Sequence, residues 1–290
     1  MKTAWKEKAI KLMLFATAST SILIVIGIFV FVGKEAGHFA LKPGLKELFG
    51  SRWMPVSFQK ESFGLLPLIT GSLLVTALAT MLTIPFGVGA AVYISELARP
   101  TEREILKPFI EILAGIPSVV IGFFGLVVLV PLIKSSFSLS TGLTALAGAV
   151  LLALMAIPTV VSISEDAIRS VPASYKAASL ALGASKMQTI WKVTVPAALP
   201  GIVAAIMLGI GRVIGETMAV MMVTGNAAII TASPFDSVRT MTATIAAEMG
   251  EVAFGSIHYR ALFCVGIVLL LATFGLNLIA QKFLEKYRMG

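Results

Sequence analysis

The sequence predicts an all-α membrane protein with six transmembrane helices, and three observations carry that reading. Of its 290 residues, 57% are hydrophobic and only 13% charged. The mean hydropathy is +0.95, a balance that excludes a soluble domain. Six apolar runs are each long enough to cross a hydrocarbon core of about 30 Å at about 1.5 Å per residue. Lipid offers no partners to backbone N–H and C=O groups, so every run must be a helix.

Taken in order, span 1 covers 10–32 and follows Lys2, Lys6, Lys8 and Lys11. It is read as a retained span, because no convincing small-residue cleavage site follows it. A polar segment, 33–63, contains Pro43, Gly44 and Trp53, whose ring suits a membrane interface. Span 2 is 65–94, broken by Pro85, and a charged loop fills 96–108. Span 3 is 109–133, with Gly115-Ile116-Pro117-Ser118 near its start. Span 4 is 143–163, with Pro158 near its end and Glu165 and Asp166 solvated just beyond it. Span 5 is 196–223. A Thr-rich segment, 224–258, holds a Ser233-Pro234 turn and a short helix around 241–249. Span 6 is 260–280, and a basic tail follows. The chain thus divides into an N-terminal span with its polar segment, 1–64, a core, 65–282, and the tail, 283–290.

The net charge of +8 does not indicate nucleic acid, because the basic residues sit singly at the ends of apolar runs. The one cysteine, Cys264, falls in span 6, so an intrachain disulfide or thiolate metal site is excluded. His38 and His258 fall in polar segments and read as surface or interfacial residues.

The longest polar interruption in the second half, about 165–196, is the organising element. Ser170 and Pro172 start a helix that good helix formers carry to Leu182. Gly183 is a left-handed stop. Ser185 and Gln188 have capping-box spacing, so a second helix begins at once. Two short helices joined at Gly183-Ala184 make an elbow projecting from the membrane. An ordinary amphipathic loop is the plainer reading. Fourteen of the 23 lysines and arginines lie on the elbow's side of the membrane and eight on the other, which puts the elbow and both termini in the cytoplasm.

Ala177-Ala178-Ser179, three residues, Gly183, nine residues and then Val193-Thr194-Val195-Pro196 resemble the cytoplasmic motif of ABC importer permeases. The resemblance implies that Ala177, Ala178, Gly183, Ala184 and Ser185 form a coupling helix docked on an ATP-hydrolysing subunit. The chain departs from the motif at Ala177, where the family carries Glu.

Span 5 holds Arg212 and Glu216, four residues apart and so able to pair on one helix face. Counted from Pro200 or Pro196, Arg212 lies about 18–24 Å along the helix. A charge at a helix centre costs about 2.5–3.5 kcal/mol on insertion scales, so neither residue should face lipid. Arg212 offers a planar donor fork to an oxyanion crossing the membrane. Glu216 would hold that side chain and keep the anion from binding too tightly. A structural ion pair between helices is the alternative. Gly211 and Gly215 form a G-x-x-x-G pair suited to close backbone approach. Ser118 contributes a donor to a pore or repairs a helix kink. No G-x-x-x-x-G-K-[ST] loop occurs, so the chain does not hydrolyse ATP by that route.

Gly211-Arg212, the run Gly215-Glu216-Thr217-Met218-Ala219-Val220 and Gly225-Asn226 are similar to phosphate-specific ABC importer permeases of the PstC type. Gly115-Ile116-Pro117-Ser118-Val119-Val120, Trp53, Glu248-Met249-Gly250 and His258-Tyr259-Arg260 extend the likeness. The resemblance implies a type I importer fold in the cell membrane, with Arg212, Glu216, Ser118 and Thr217 on the substrate pathway. It implies a second, PstA-like permease, two ATPase subunits and an extracytoplasmic phosphate-binding protein. ATP and Mg²⁺ would be held by the ATPases, and no cofactor by this chain. The residues themselves leave phosphate, sulfate and molybdate open, and an ion-coupled secondary transporter remains a rival.

Overall fold

The computed structural model describes residues 2–57 and 60–288. Its architecture is helical, with six helices long and apolar enough to cross a membrane: Lys6–Phe39, Leu66–Leu97, Ser118–Ser136, Ala145–Arg169, Lys186–Gly215 and Ile257–Ile279. In chain order, α1 (Lys2–Phe39) ends in short turns that lead to a two-stranded antiparallel hairpin, β1 (Trp53–Met54) with β2 (Ser62–Phe63). Next come α2 (Leu66–Val92), which runs on as a wider turn to Leu97, and α3 (Pro100–Ala114). α4 (Ser118–Phe124) and α5 (Val130–Ser136) join into one span. α6 (Ala145–Arg169) follows, capped by the Thr144 hydroxyl, which accepts from the Ala147 N–H. The elbow is α7 (Ala173–Ala181) and α8 (Lys186–Thr189), the latter continuing into α9 (Val195–Gly215). α10 (Met218–Val223), α11 (Met241–Glu248) and α12 (Ile257–Arg288) complete the chain. Positions 289 and 290 of the basic tail lie outside the described residues.

The central post is α6, which packs on α2, α9, α3 and α10. It can be central because small residues line it and meet it. Ala145, Ala149, Ala156 and Val160 are all fully buried. A side chain at Gly209 of α9 would come within 2.6 Å of Val160, and one at Gly87 of α2 within 2.9 Å. Val160 is therefore a knob held between two glycines, and the three helices close to near-backbone distance. The helices α1 and α12 pair beside this bundle. Their shared cluster takes in Phe39, Trp53, Phe63, Leu65, Leu68, Met241 and Leu262.

Several boundaries differ from the sequence reading. Pro85 does not break span 2, since α2 runs through it unbroken, as α6 runs through Pro158. Most of the expected loop, 96–108, and the first residues of the expected span 3 form one helix, 100–114, and span 3 starts only at Ser118. Pro100 starts α3, and the Arg99 N–H donates to Glu102 Oε2 at 2.9 Å. Leu106 and Ile110 pack against Ile94, Val161 and Ile168 on neighbouring helices. The charged residues of 96–111 concealed that apolar stripe. Gly115 and Pro117 then separate α3 from α4, because proline lacks a donor and biases the preceding residue away from helix.

Candidate functional site

The elbow forms as its residues dictate. Gly183 has φ of +86°, and the Ala184 N–H donates to Ser179 O at 3.2 Å. A β-carbon is costly in that conformation, so glycine is the fitting residue. The Ser185 hydroxyl accepts from the Gln188 N–H at 3.3 Å, and the Gln188 side chain accepts from the Ser185 N–H at 2.8 Å. This is the capping box expected from the spacing. Ala177, Ala178, Gly183 and Ser185 are exposed and Ala184 is half-buried. Leu182 is 89% exposed, and Tyr175, Leu180, Met187 and Trp191 lie open around it. Tyr175, Ala178, Leu182, Ala184, Gln188 and Val193 line one open groove. Exposed apolar patches of this kind mark sites of protein or membrane contact. Lys176 extends from α7 and makes an ion pair with Glu96 at the end of span 2.

In the membrane-deep half, α9 ends at Gly215 and not at 223. Glu216 is extended (φ −70°, ψ 133°), Thr217 is non-helical, and α10 begins at Met218. Span 5 is thus interrupted at Glu216-Thr217. The Glu216 carbonyl accepts from the Thr242 hydroxyl of α11 at 2.9 Å, and the Thr217 hydroxyl donates to Gly215 O at 3.2 Å. Irregular backbone at such depth is tolerated where protein or a wet cavity meets it.

The interruption overturns the expected Arg212–Glu216 pair. Four-residue spacing brings two side chains together only on a continuous helix, and this helix stops between them. The Arg212 Nη1–H donates instead to Thr159 Oγ1 of α6 at 3.1 Å. Among the described residues no carboxylate lies within ion-pair distance of Arg212. Gly211 and Gly215 also face nothing within 4 Å in this chain, whereas Gly209 and Gly201 take the close helix approaches.

Ser118 is the first residue of α4. Gly122 backs onto Ala219, and Gly125 onto Val223, so α4 and α10 run side by side and parallel. At about 1.5 Å per residue, Ser118 lies about 6 Å along α4 from that contact. Gly209 and Arg212 oppose Val160 and Thr159, which brings α6 into the same band. Arg212 and Thr159 therefore meet between α9 and α6, while Glu216-Thr217 leads into α10, which packs on the α4 that Ser118 begins. Thr159 and Thr242 had no signal in the sequence, being single hydroxyls in apolar or Thr-rich surroundings.

Two further clusters were misread. Glu165 is 1% exposed, not solvated. It accepts from Arg103, from Lys107 Nζ at 2.8 Å and lies 3.6 Å from Arg169 Nη1. The hydrogen bond to Glu165 holds the Lys107 ammonium above its ordinary 10.5, and outweighs partial burial. At the opposite end, His258, read as surface or interfacial, is half-buried. Its Nε2 lies 2.8 Å from Glu248 Oε2, while Arg239 Nη1 donates to Glu248 Oε1 at 2.6 Å. The Trp53 indole N–H, expected at an interface, donates to the same carboxylate at 3.1 Å. The cluster ties the hairpin, α11 and α12 together.

Comparison with known proteins agrees with this architecture. The family of binding-protein-dependent transport system inner membrane components matches residues 83–287. A probable ABC transporter permease, YqgH of Bacillus subtilis, is 41% identical over 90% of this chain and 86% of its own. The phosphate transport system permease protein PstC of Mesorhizobium japonicum is 34% identical over 84% of this chain and 79% of its own. Among solved structures, a bacterial ABC transporter involved in import of the acidic polysaccharide alginate superposes with a TM-score of 0.66. It covers 97% of this chain and 98% of its own, at 15% identity. The inward-facing MetNI methionine ABC transporter gives 0.57 over 77% of this chain and 94% of its own, at 20% identity. At such identities these structures speak for the fold alone, which is that of type I ABC importer permeases. An ion-coupled secondary transporter is set aside. A matched family model over most of the chain, six spans and the elbow converge: the chain belongs to the binding-protein-dependent transport system inner membrane components, as an ABC importer permease subunit of the PstC type.

Proposed function

We propose that this chain is a transmembrane permease subunit of an ATP-driven phosphate importer. The observation that carries the reading is Arg212. A guanidinium has five N–H donors and stays charged at any physiological pH. Here it sits deep in a span, gives one hydrogen bond to Thr159 and has no carboxylate counter-ion among the described residues. A charge so placed is tolerable beside a wet passage and offers its remaining donors to an oxyanion. Ser118, at the start of α4, and Thr217, at the break after α9, add hydroxyls in this reading. Likeness to PstC permeases favours phosphate over sulfate and molybdate.

In this reading the elbow lies in the cytoplasm with both termini, and the chain is a multi-pass protein of the cell membrane. The exposed crown around Leu182 docks on an ATPase subunit through Ala177, Ala178, Gly183, Ala184 and Ser185. A PstA-like permease completes the passage, two ATPases hold ATP and Mg²⁺, and an extracytoplasmic phosphate-binding protein delivers the anion. ATP binding closes the ATPases and draws the elbows together. The spans then turn from inward-open to outward-open, and phosphate enters the layer of Arg212. When the ATPases separate, the passage reopens inward.

The test is anion uptake by vesicles holding the assembled complex with ATP on the ATPase side, comparing phosphate, sulfate and molybdate. Phosphate is taken up, and Arg212→Gln lowers uptake about a hundredfold while the subunits stay assembled, as for a lost charged recognition group. Normal uptake by the variant overturns the assignment of Arg212. Preferential uptake of sulfate or molybdate overturns phosphate.

A further inference from the structure

No residue of α7 is buried, and it packs on α8 and the Ile190–Thr194 turn, while Val171 before it and Ile190 after it are buried in the cluster that holds Ala91, Val92 and Ile94. Among the described residues, two polar side-chain contacts hold it. The Ser179 and Thr189 hydroxyls meet at 3.0 Å, and this bond stays within the elbow. The Lys176–Glu96 ion pair leaves the elbow and reaches the cytoplasmic-side end of span 2, 80 residues earlier in the chain. Glu96 is the more enclosed partner, with a side chain 10% exposed against 29% for Lys176. Span 2 in turn packs on both α6 and α9. Between Asp166 and Glu216 the chain carries no acidic residue, and Ala177, beside Lys176, stands where the resemblance expects Glu. The one lysine of α7 therefore points its charge inward, to the bundle, and not only outward.

A helix attached at its chain ends alone can swivel about them. A second pin to a different span removes that freedom and makes its displacement a push or pull on that span. We propose that the Lys176–Glu96 ion pair is the strut that delivers movement of the elbow to span 2, making both positioning residues for the transport cycle. The proposal rests on the reading of the elbow as the ATPase contact. Through α2 the displacement reaches Gly87 and Val160, and so the layer that holds Thr159 and Arg212.

The experiment uses the complete complex in vesicles. Three quantities are measured: ATPase subunit retained, ATP hydrolysed and phosphate taken up per ATP. Glu96→Gln and Lys176→Gln each retain the ATPase subunit and its hydrolysis, but phosphate taken up per ATP falls about tenfold. The reversed pair, Glu96→Lys with Lys176→Glu, restores most of the ratio, as expected if the ion pair itself carries the coupling; the fall in ratio at retained assembly and hydrolysis is what a merely structural role would not produce. A wild-type ratio in either single variant overturns the strut. So does a reversed pair no better than the singles, or loss of the ATPase subunit from the singles, which would make the pair a docking contact. A wild-type chain that never retains the ATPase subunit removes the docking reading itself, and the strut with it.

Discussion

At the scale of single residues, charge placement decides most of what this chain does. Arg212 and Glu165 are both ionic groups within long apolar helices, yet their surroundings differ. Glu165 is buried and surrounded by Arg103, Lys107 and Arg169, which makes it a structural knot between α3 and α6. Removing it strands cations that still reach water, so the penalty is below that of a fully buried pair. Glu165→Gln should cost about 2 kcal/mol, read as a lower thermal midpoint of the purified protein in detergent. The pH dependence follows from Lys107, whose hydrogen bond to Glu165 raises it above 10.5. A raised cationic group stabilises fully below its unfolded value and loses that contribution as pH climbs through the folded one. The stability difference between wild type and Lys107→Met is therefore constant through neutral pH and closes above 10.5. A difference that closes below about pH 9 would contradict the raised Lys107 ammonium.

At the scale of elements, the helices pack through glycines that the sequence did not single out. Periodicity drew attention to Gly211 and Gly215, but both face open space within this chain. Gly209 instead lies against Val160, and Gly201 against Ala167. A β-branched neighbour cannot swing aside, so Gly209→Val should destabilise by about 1–3 kcal/mol. Gly211→Ala should be neutral or gain up to about 1 kcal/mol of helix propensity. Thermal midpoints of the two variants in one detergent check the contrast. The break at Glu216-Thr217 belongs to the same scale. Its extended backbone is held by Thr242, a contact from 26 residues away, so no local propensity announced it.

At the scale of the whole molecule, the chain is a bundle built around α6, with a polar knot at each end. Glu165 marks the elbow's end, and Glu248 with Trp53, Arg239 and His258 the other. If the elbow is cytoplasmic, the two ends differ in access to a membrane-impermeant thiol reagent. The native Cys264 is buried, so a Cys264→Ala background is silent. In intact cells Met54→Cys is labelled, and Ala178→Cys is labelled only after the membrane is opened. The reverse pattern would invert the orientation and remove the cytoplasmic docking of the elbow.

The sequence by itself determined six spans, their approximate limits, the elbow with its left-handed glycine and capping box, and an arginine inside the bilayer. These are consequences of hydropathy, length and short-range chemistry, which act between residues a few positions apart. Only the tertiary structure decided what those charges meet. It parted Arg212 from Glu216 and gave it Thr159, buried Glu165 among three cations, made most of the supposed loop at 96–108 and the supposed start of span 3 into one packed helix, and joined Lys176 to Glu96. Each of these joins or parts residues according to how neighbouring helices lie. A long-range partner is chosen by the closeness of backbones, which here depends on glycines against Val160 and Ala167, and no local pattern encodes that geometry.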